Sequence, residues 1–142
     1  MLRVISFSFA DNAHMDLANE IRRKVFVVEQ QVSREEEYDS FEESSVHYVV
    51  FVDEMPVGTA RWRITKDGIK LERFAVLKEF RNSGAGTAVL KQVLNDVKPL
   101  GKKIYLNAQI TAVNFYLKEG FITEGDEFIE ANIRHYKMTL QK

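Results

Sequence analysis

The sequence contains no cysteine in its 142 residues. Disulfides, thiolate nucleophiles and the zinc clusters that depend on cysteine are therefore excluded. Histidine is scarce as well, because only His14, His47 and His135 are present, and their separation matches no metal-ligand spacing. We expect a protein that uses neither a metal ion nor a thiolate.

An excess of either charge is also lacking. Twenty Lys and Arg residues stand against 21 Asp and Glu residues, which gives a formal net charge of −1 and a pI near 6.3. A surface that binds nucleic acid normally needs a basic excess. The basic cluster of Arg22, Arg23 and Lys24 is more simply interpreted as the solvated face of a helix, so we expect no nucleic-acid partner.

Long hydrophobic runs are absent too. No window approaches the roughly 18 consecutive apolar residues that a membrane span requires. The apolar run at residues 4–9 is too short for a signal peptide and predicts a strand instead. Hydrophobic residues make up 45% of the chain and charged residues 29%, which is ordinary globular usage. We expect one cytoplasmic domain over residues 1–142, a monomer or a homodimer, with no membrane partner.

Apolar periodicity predicts the helices. Leu17, Ile21, Val25 and Val28 recur at intervals of four, four and three residues and predict a helix over 13–29. Two further helices are predicted at 86–97 and 112–119, the second with Thr111 as its N-cap. The acid-rich stretch 35–43 has no apolar period and predicts a solvated connection.

Strand patterns complete the predicted fold. In the segment 57–65, alternation predicts one polar and one packed face. The polar face has Thr59, Arg61, Arg63 and Thr65, and the packed face has Ala60, Trp62 and Ile64. The strands at 69–76 and 103–108 flank a helix and are expected to be parallel neighbours. We assign the chain to the α/β (α+β) class, with helices on both faces of a mixed central sheet of about six to seven strands. The predicted strands are 4–9, 46–52, 57–65, 69–76, 103–108, 121–124 and 133–140.

A glycine loop stands between a predicted strand and a predicted helix. The loop reads Arg81-Asn82-Ser83-Gly84-Ala85-Gly86. The start of such a helix offers unpaired N–H groups and a positive dipole end, and glycine lets the backbone come close to an anion. A P-loop is excluded because no lysine follows Gly86, and a dinucleotide loop is excluded because Val89 occupies the place of the third glycine.

Two motifs resemble those of the GNAT N-acetyltransferases. Residues 81–86 resemble that family's coenzyme A pyrophosphate loop, Arg-x-x-Gly-x-Gly/Ala. Residues 112–121 look like its signature A-x-x-F-Y-x-x-x-G-F, with Phe115 and Tyr116 at the matching positions. The two motifs are well separated and in the right order, and the resemblance covers nearly the whole chain. It implies the GNAT fold.

Several shorter segments are similar to a small bacterial subgroup of uncharacterised, predicted acyltransferases. They include His47 on its strand and the closing segment that contains His135. In that closing segment, Asn132 and Arg134 stand where the subgroup commonly has glycine and proline.

The resemblance implies transfer of an acetyl group from acetyl-CoA to the amine of a small molecule or peptide. Attack would be direct, with no covalent enzyme intermediate and no metal, so acetyl-CoA and an amine acceptor are the expected partners. Two alternatives remain: a module that binds acyl-CoA without catalysis, and a GNAT-like synthase that acylates and then cyclises an amino-acid derivative. Protein lysine, amino sugar, polyamine and free amino acid all remain open as acceptors.

The resemblance also assigns residues to the coenzyme. The edge of the strand before the loop would pair with the pantetheine amides, and the loop backbone would hold the diphosphate. A backbone N–H near Val76 would face the developing oxyanion, a contact worth about 3 to 4 kcal/mol. The implied coenzyme-binding residues are Phe74, Ala75, Val76, Arg81, Asn82, Ser83, Gly84, Ala85, Gly86, Thr87, Asn107, Asn114 and Tyr116.

Tyr116 is the predicted catalytic acid. A phenol has an ordinary pKa of about 10, comparable to that of a thiol, so it can protonate the departing thiolate. The structural alternative is a packed aromatic. Glu72 is the first candidate for the catalytic base, because strand alternation places it on the same face as Phe74, and Glu29 and His47 are rivals.

The acceptor pocket is predicted from five side chains. Arg61 and Arg73 would favour an acceptor that carries an acidic group. Each has a structural alternative, since arginines in a meander commonly pair with neighbouring acids such as Glu72. The predicted acceptor-binding residues are Glu29, His47, Arg61, Arg73 and Gln109.

Overall fold

The computed structural model describes residues 1–33 and 39–141. Within this part of the chain, the core is a mixed sheet of eight strands in the order β1-β2-β3-β4-β5-β8-β6, with β7 paired to β8. Strands β4 and β5 run parallel, as predicted, and the other pairs are antiparallel. The strands are β1 (Leu2–Phe7), β2 (Val46–Val52), β3 (Met55–Thr65), β4 (Gly68–Val76), β5 (Ile104–Gln109), β6 (Phe121–Thr123), β7 (Phe128–Glu130) and β8 (Ile133–Leu140).

Helices cover both faces of the sheet, which confirms the predicted fold class. They are α1 (Asn12–Arg22), which continues into a π-helical segment (Arg23–Glu29), α2 (Ala85–Val97) and α3 (Val113–Leu117). Val49 and Phe51 of β2 pack in the cluster formed with α1, whereas Tyr48 and Val50 pack in the cluster formed with α2. Successive residues of a strand point to opposite faces, so a strand covered on both sides is apolar throughout. No helix among the described residues is long and apolar enough to cross a membrane.

The π-helical segment changes which side chains of the first helix are buried. Val25 and Phe26 face the core, but Val28, predicted to do so, is 60% exposed. A π-turn adds a residue to the turn and rotates the following side chains about the axis. Arg22 was predicted to be solvated, and this prediction is wrong: its side chain is 1% exposed and pairs with Glu42 at 2.8 Å.

The face of β3 that was predicted to be polar is buried. Arg61 is 1% exposed, and Thr59 is equally buried while its hydroxyl donates to the Tyr48 carbonyl at 2.7 Å. Ile64, expected on the packed face, is instead 58% exposed near the strand end. Alternation placed these residues on the correct faces but could not show that α1 and the turn after residue 39 cover the polar face.

A bulge in β4 reverses the alternation of that strand. Arg73 has a φ of +57°, and three residue steps along β4 oppose two steps along β3 at this point. Phe74 therefore packs with Leu71 on the α2 side of the sheet, and Ala75 packs on the α1 side. In an unbroken strand, Phe74 would lie on the side opposite Leu71.

Strands β4 and β5 are joined over only three residue pairs. Ile69 to Leu71 pair with Ile104 to Leu106, and the described pairing ends there. The second half of β4, beyond the bulge, still pairs with β3. The two parallel strands thus separate toward their C-terminal ends, which opens a cleft in the sheet.

The hairpin of β7 and β8 was not predicted as a strand pair. Ala131 and Asn132 form its turn with φ values of +52° and +62°. Two successive positive φ values are typical of a type I′ turn, and asparagine tolerates this conformation better than most residues. Asn132 can therefore adopt the turn conformation at the position where the similar subgroup commonly has glycine.

Two predicted details of the connections differ. Helix α3 is shorter than predicted, begins after a 3₁₀ turn (Ile110–Ala112), and has no side-chain cap, so Thr111 is not its N-cap. Residues 35–38 of the predicted acidic connection lie outside the described residues. The described remainder is not simply solvated, because Asp39 and Glu42 both bind Arg61.

Candidate active site

A cleft of about 980 Å³ lies where β4 and β5 separate. Its walls are the second half of β4, the end of β5, the loop before α2, the start of α3, the end of the first helix and the β7–β8 hairpin. The lining includes most of the predicted coenzyme-binding residues: Phe74, Ala75, Val76, Arg81, Asn82, Gly84, Gly86, Thr87, Asn107 and Tyr116. Ser83, Ala85 and the exposed Asn114 lie outside the lining.

The edge of β4 offers backbone hydrogen-bonding groups to the cleft. The Leu77 N–H donates to the Val57 carbonyl at 2.8 Å. Because backbone groups alternate in direction along a strand, those of Val76 point away from β3 and into the cleft. The Val76 carbonyl there accepts a hydrogen bond from Arg81 Nε at 3.0 Å. This edge can therefore pair with an extended amide chain.

The loop before α2 leads directly into a helix N-terminus at the cleft. Gly84 is the N-cap residue at a φ of +89°, a conformation that favours glycine. A Cβ at Gly86 would lie 3.5 Å from the Phe115 ring, an ordinary contact, so the fold itself does not require glycine there. Ser83 Oγ accepts from the Ala85 N–H at 3.3 Å. The remaining N–H groups of the first turn of this 13-residue helix are available to an anion.

Arg81 ties this loop to the end of the first helix. Its two terminal nitrogens donate to the two carboxylate oxygens of Glu29, each at 2.7 Å. The hydrogen bond from Arg81 lowers the pKa of Glu29 below its ordinary value. Glu29 lines the cleft as predicted, but a carboxylate paired in this way is a weak proton acceptor.

Tyr116 is buried at the base of the cleft among aromatic rings. Phe115 lies 5.0 Å from it, Phe121 5.8 Å and Phe74 6.0 Å, measured between ring centroids, and all three contacts are edge-on. Burial raises the pKa of the Tyr116 phenol above its ordinary value, so the phenol is protonated at neutral pH. The bulge in β4 brings Phe74 into this group.

Glu72 does not fit the predicted role of catalytic base. Because the bulge intervenes, Glu72 and Phe74 lie on opposite faces of β4, contrary to the alternation argument. Its carboxylate is within 3.2 Å of Arg61, Arg63 and Lys70. Burial alone would raise the pKa of Glu72, but the hydrogen bond from Arg63 and the charges of Arg61 and Lys70 hold that pKa at about 2. A carboxylate of this acidity does not take a proton from an amine at neutral pH.

The same ion pairs predict a loss of stability in acid. The pKa of Glu72 is lowered from 4.5 to about 2 on folding, so protonation favours the unfolded chain. This contribution is complete above pH 4.5 and disappears as the pH falls toward 2. We expect the wild-type protein to have a higher free energy of unfolding than Glu72→Gln. This difference should shrink by roughly 2 to 3 kcal/mol as the pH falls through this window. Urea unfolding at several pH values measures it.

Glu54→Gln is the matched control for that series, because Glu54 is exposed. Its acid profile should follow the wild type. A gap between the wild type and Glu72→Gln that stays constant from pH 5 to pH 2.5 would contradict the proposed ion-pair contribution.

Two predicted acceptor residues lie away from the cleft. His47 is buried and stacked on Phe7, and its Nε2–H donates to the Glu42 carbonyl at 2.8 Å. Burial lowers the pKa of His47. Arg61 is buried in the ion-pair cluster with Asp39, Glu42 and Glu72. Neither side chain lines the cleft, so both predictions are corrected to structural roles.

The other two acceptor candidates do line the cleft. Arg73 pairs with Asp39 at 3.1 Å. Gln109 Nε2 donates to Gln30 Oε1 at 2.8 Å, which connects the end of β5 to the end of the first helix. These contacts position both side chains but leave the acceptor's chemistry open.

Sequence reasoning gave no site role to two residues that reach the cleft, Glu130 and His135. His135 is buried on β8, opposite Gln109 in the strand register, and its Nε2 lies 3.9 Å from Glu130. The signal that could have found His135 was this register, because Gln109 was already a candidate. Within the described residues, no group of three His, Asp or Glu side chains could hold a metal ion.

Comparisons with known proteins agree with this geometry. The family model described as "Acetyltransferase (GNAT) domain" matches residues 13–142. An uncharacterized N-acetyltransferase of Bacillus subtilis, YjcF, is 45% identical over 121 residues, which cover 83% of this chain and 86% of the relative. Escherichia coli ElaA superposes with a TM-score of 0.88 at 22% identity, covering 99% of this chain and all of that chain. A PaiA N-acetyltransferase from Thermoplasma acidophilum, solved with coenzyme A, superposes with a TM-score of 0.70 at 16% identity, covering 100% and 99%.

Proposed function

Since the chain belongs to the GNAT family of acetyltransferases, we propose that it moves an acetyl group from acetyl-CoA to a primary amine. The observation that carries this proposal is the cleft between β4 and β5, which joins an unpaired strand edge to the N-terminus of α2. A strand edge suits the amides of pantetheine, and a helix N-terminus suits a diphosphate. Acetyl-CoA carries both groups on one molecule.

The diphosphate is assigned to the loop from Arg81 to Thr87, and pantetheine to the β4 edge at Phe74, Ala75 and Val76. Gly84 and Gly86 line the cleft beside the first turn of α2, and the N–H groups of that turn support this assignment. Asn107 lines the same cleft and supplies a polar contact. The Val76 N–H, on the cleft side of β4, would stabilise the negative charge that develops on the thioester oxygen.

Tyr116 is assigned as the acid that protonates the departing thiolate. Its phenol is buried and remains protonated at neutral pH, because burial raises its pKa. An acid that has its proton in the resting state can release it as negative charge develops on sulfur. Tyr116 lines the cleft, and its ring contacts three other aromatic rings.

The test is an amine screen with detection of free thiol, run on the wild type, Thr87→Glu and Thr87→Gln. Thr87 lies in the first turn of α2 and lines the cleft. A glutamate at that position suits the helix but repels a bound diphosphate. We expect wild-type turnover with at least one primary amine, and a KM for acetyl-CoA that is about tenfold or more higher for Thr87→Glu than for the neutral, equally large Thr87→Gln.

Three outcomes would contradict the proposal or part of it. Equal KM values for the two variants would show that the diphosphate does not bind at this helix. Tight coenzyme binding without thiol release for any amine would favour a binding module over an enzyme. A requirement for a long acyl group on a carrier would favour a synthase.

A further inference from the structure

The β7–β8 hairpin brings a histidine with a fixed tautomer to the cleft. The His135 ring is buried and stacks on Phe128 with the ring centroids 5.7 Å apart. Its Nδ1–H donates to the Ile133 carbonyl at 2.7 Å. Because a carbonyl can only accept, the proton of the neutral ring sits on Nδ1 and the lone pair on Nε2. Nε2 is therefore the atom able to take a proton.

Next to Nε2 is a carboxylate that no described cationic side chain neutralises. Glu130 Oε2 lies 3.9 Å from His135 Nε2, and its side chain is 51% exposed. Among the described residues, the other three carboxylates that line the cleft are each paired with at least one arginine: Glu29, Asp39 and Glu72. A carboxylate in a cleft without a cationic partner among the described residues attracts a cation, such as the ammonium group of an acceptor.

We propose that Glu130 and His135 receive the acceptor: Glu130 binds its ammonium group, and His135 Nε2 takes the proton that must leave before attack. This inference rests on the proposed function and extends it to the base and to a cationic class of acceptor. An alkylammonium has no lone pair until it is deprotonated. Imidazole is the side chain that exchanges protons near neutral pH, whereas the paired Glu72 cannot.

The protons gained and lost by the enzyme are equal over one turnover. The ammonium loses one proton to His135 Nε2, and the freed lone pair forms the C–N bond at the thioester carbonyl. The C–S bond then breaks, and the thiolate takes the proton of the Tyr116 phenol. The nitrogen releases its second proton as the amide forms, which restores the phenol, and His135 returns its proton to solvent. The products are the N-acetyl amide, the free thiol and one proton.

The experiment compares His135→Asn with the wild type, using acetyl-CoA and the best amine from the screen. Asparagine keeps a donor close to the position of Nδ1, so the hydrogen bond to Ile133 can persist, but it removes the base at Nε2. We expect kcat at pH 7 to fall about 10- to 100-fold, with a calorimetric Kd for coenzyme A within about twofold of the wild type. The deficit should close as the pH rises toward 10, because the free amine then needs no base.

A deficit that stays constant with pH, or no deficit at pH 7, would overturn the role of His135 while leaving the proposed function intact. Absence of wild-type turnover with every amine would overturn both. If His135→Asn does not fold, Glu130→Gln tests the proposal instead, because Glu130 is half exposed and its replacement should not prevent folding. That variant should raise the acceptor KM about tenfold, and an unchanged KM overturns the proposal. Glu127→Gln, on the same hairpin but paired with Arg134 outside the cleft, should behave as the wild type.

Discussion

Replacing Arg61 with methionine is expected to lower the free energy of unfolding by about 3 to 5 kcal/mol. The Arg61 guanidinium is 1% exposed and binds three carboxylates, those of Asp39, Glu42 and Glu72. Methionine fills much of the same volume but leaves three negative charges close together with less compensation. A buried charge that loses its partner costs more than the pair contributed. Urea unfolding at pH 7, followed by fluorescence of the single tryptophan, measures the change.

Arg63→Met is the matched control for this prediction. Arg63 binds Glu72 at 2.8 Å and lies over the Phe41 ring at 3.8 Å, but its side chain is more exposed than that of Arg61. Its replacement should cost about 1 to 2 kcal/mol. An equal loss for the two variants, or a loss below about 1 kcal/mol for Arg61→Met, would show that the cluster does not support the fold as described.

Replacing Tyr116 with phenylalanine is expected to lower kcat at least about tenfold, which is 1.4 kcal/mol of transition-state stabilisation. The change removes only the hydroxyl, so the ring contacts with Phe74, Phe115 and Phe121 persist. The Kd for coenzyme A should stay within about twofold of the wild type. Thiol release at saturating substrate, with chemistry rate-limiting, gives kcat, and calorimetry gives Kd.

Tyr105→Phe controls for the loss of a phenol elsewhere. Tyr105 is buried on β5, and its hydroxyl hydrogen bonds to Thr65 at 2.7 Å, outside the cleft. This variant should lose some stability and keep its turnover. Unchanged kcat in Tyr116→Phe would leave Tyr116 as a packed aromatic, and a new proton source for the thiolate would be needed.

The elements of the fold were largely predictable because their signals are local. The run of apolar residues in β2 and the Asp67-Gly68 turn between β3 and β4 lie within a few residues of the structure that they specify. The errors came from features with weaker local signals. The π-helical segment turned Val28 outward, and the β7–β8 hairpin turns at Ala131 and Asn132 rather than at a glycine.

In the candidate site, too, features with local sequence signals were easier to predict than features without them. The loop at 81–87 could be proposed from the sequence because one short segment contains its glycines and backbone groups, and its binding of the diphosphate stays a prediction. The base was misassigned because one bulged residue, Arg73, reversed the face on which Glu72 was expected. A bulge needs no distinctive residue, so alternation gave no warning of it.

By itself, the sequence determined the family and the order of most strands and helices, since each depends on residues that are close along the chain. Tertiary structure alone decided which charged groups are free to react. Glu29 and Asp39 each meet an arginine that is distant along the chain, Glu72 meets arginines of the adjacent strand β3, and Glu130 meets the imidazole of His135. Proton affinity depends on the charges and solvent around a group, and folding, not residue type, sets those surroundings.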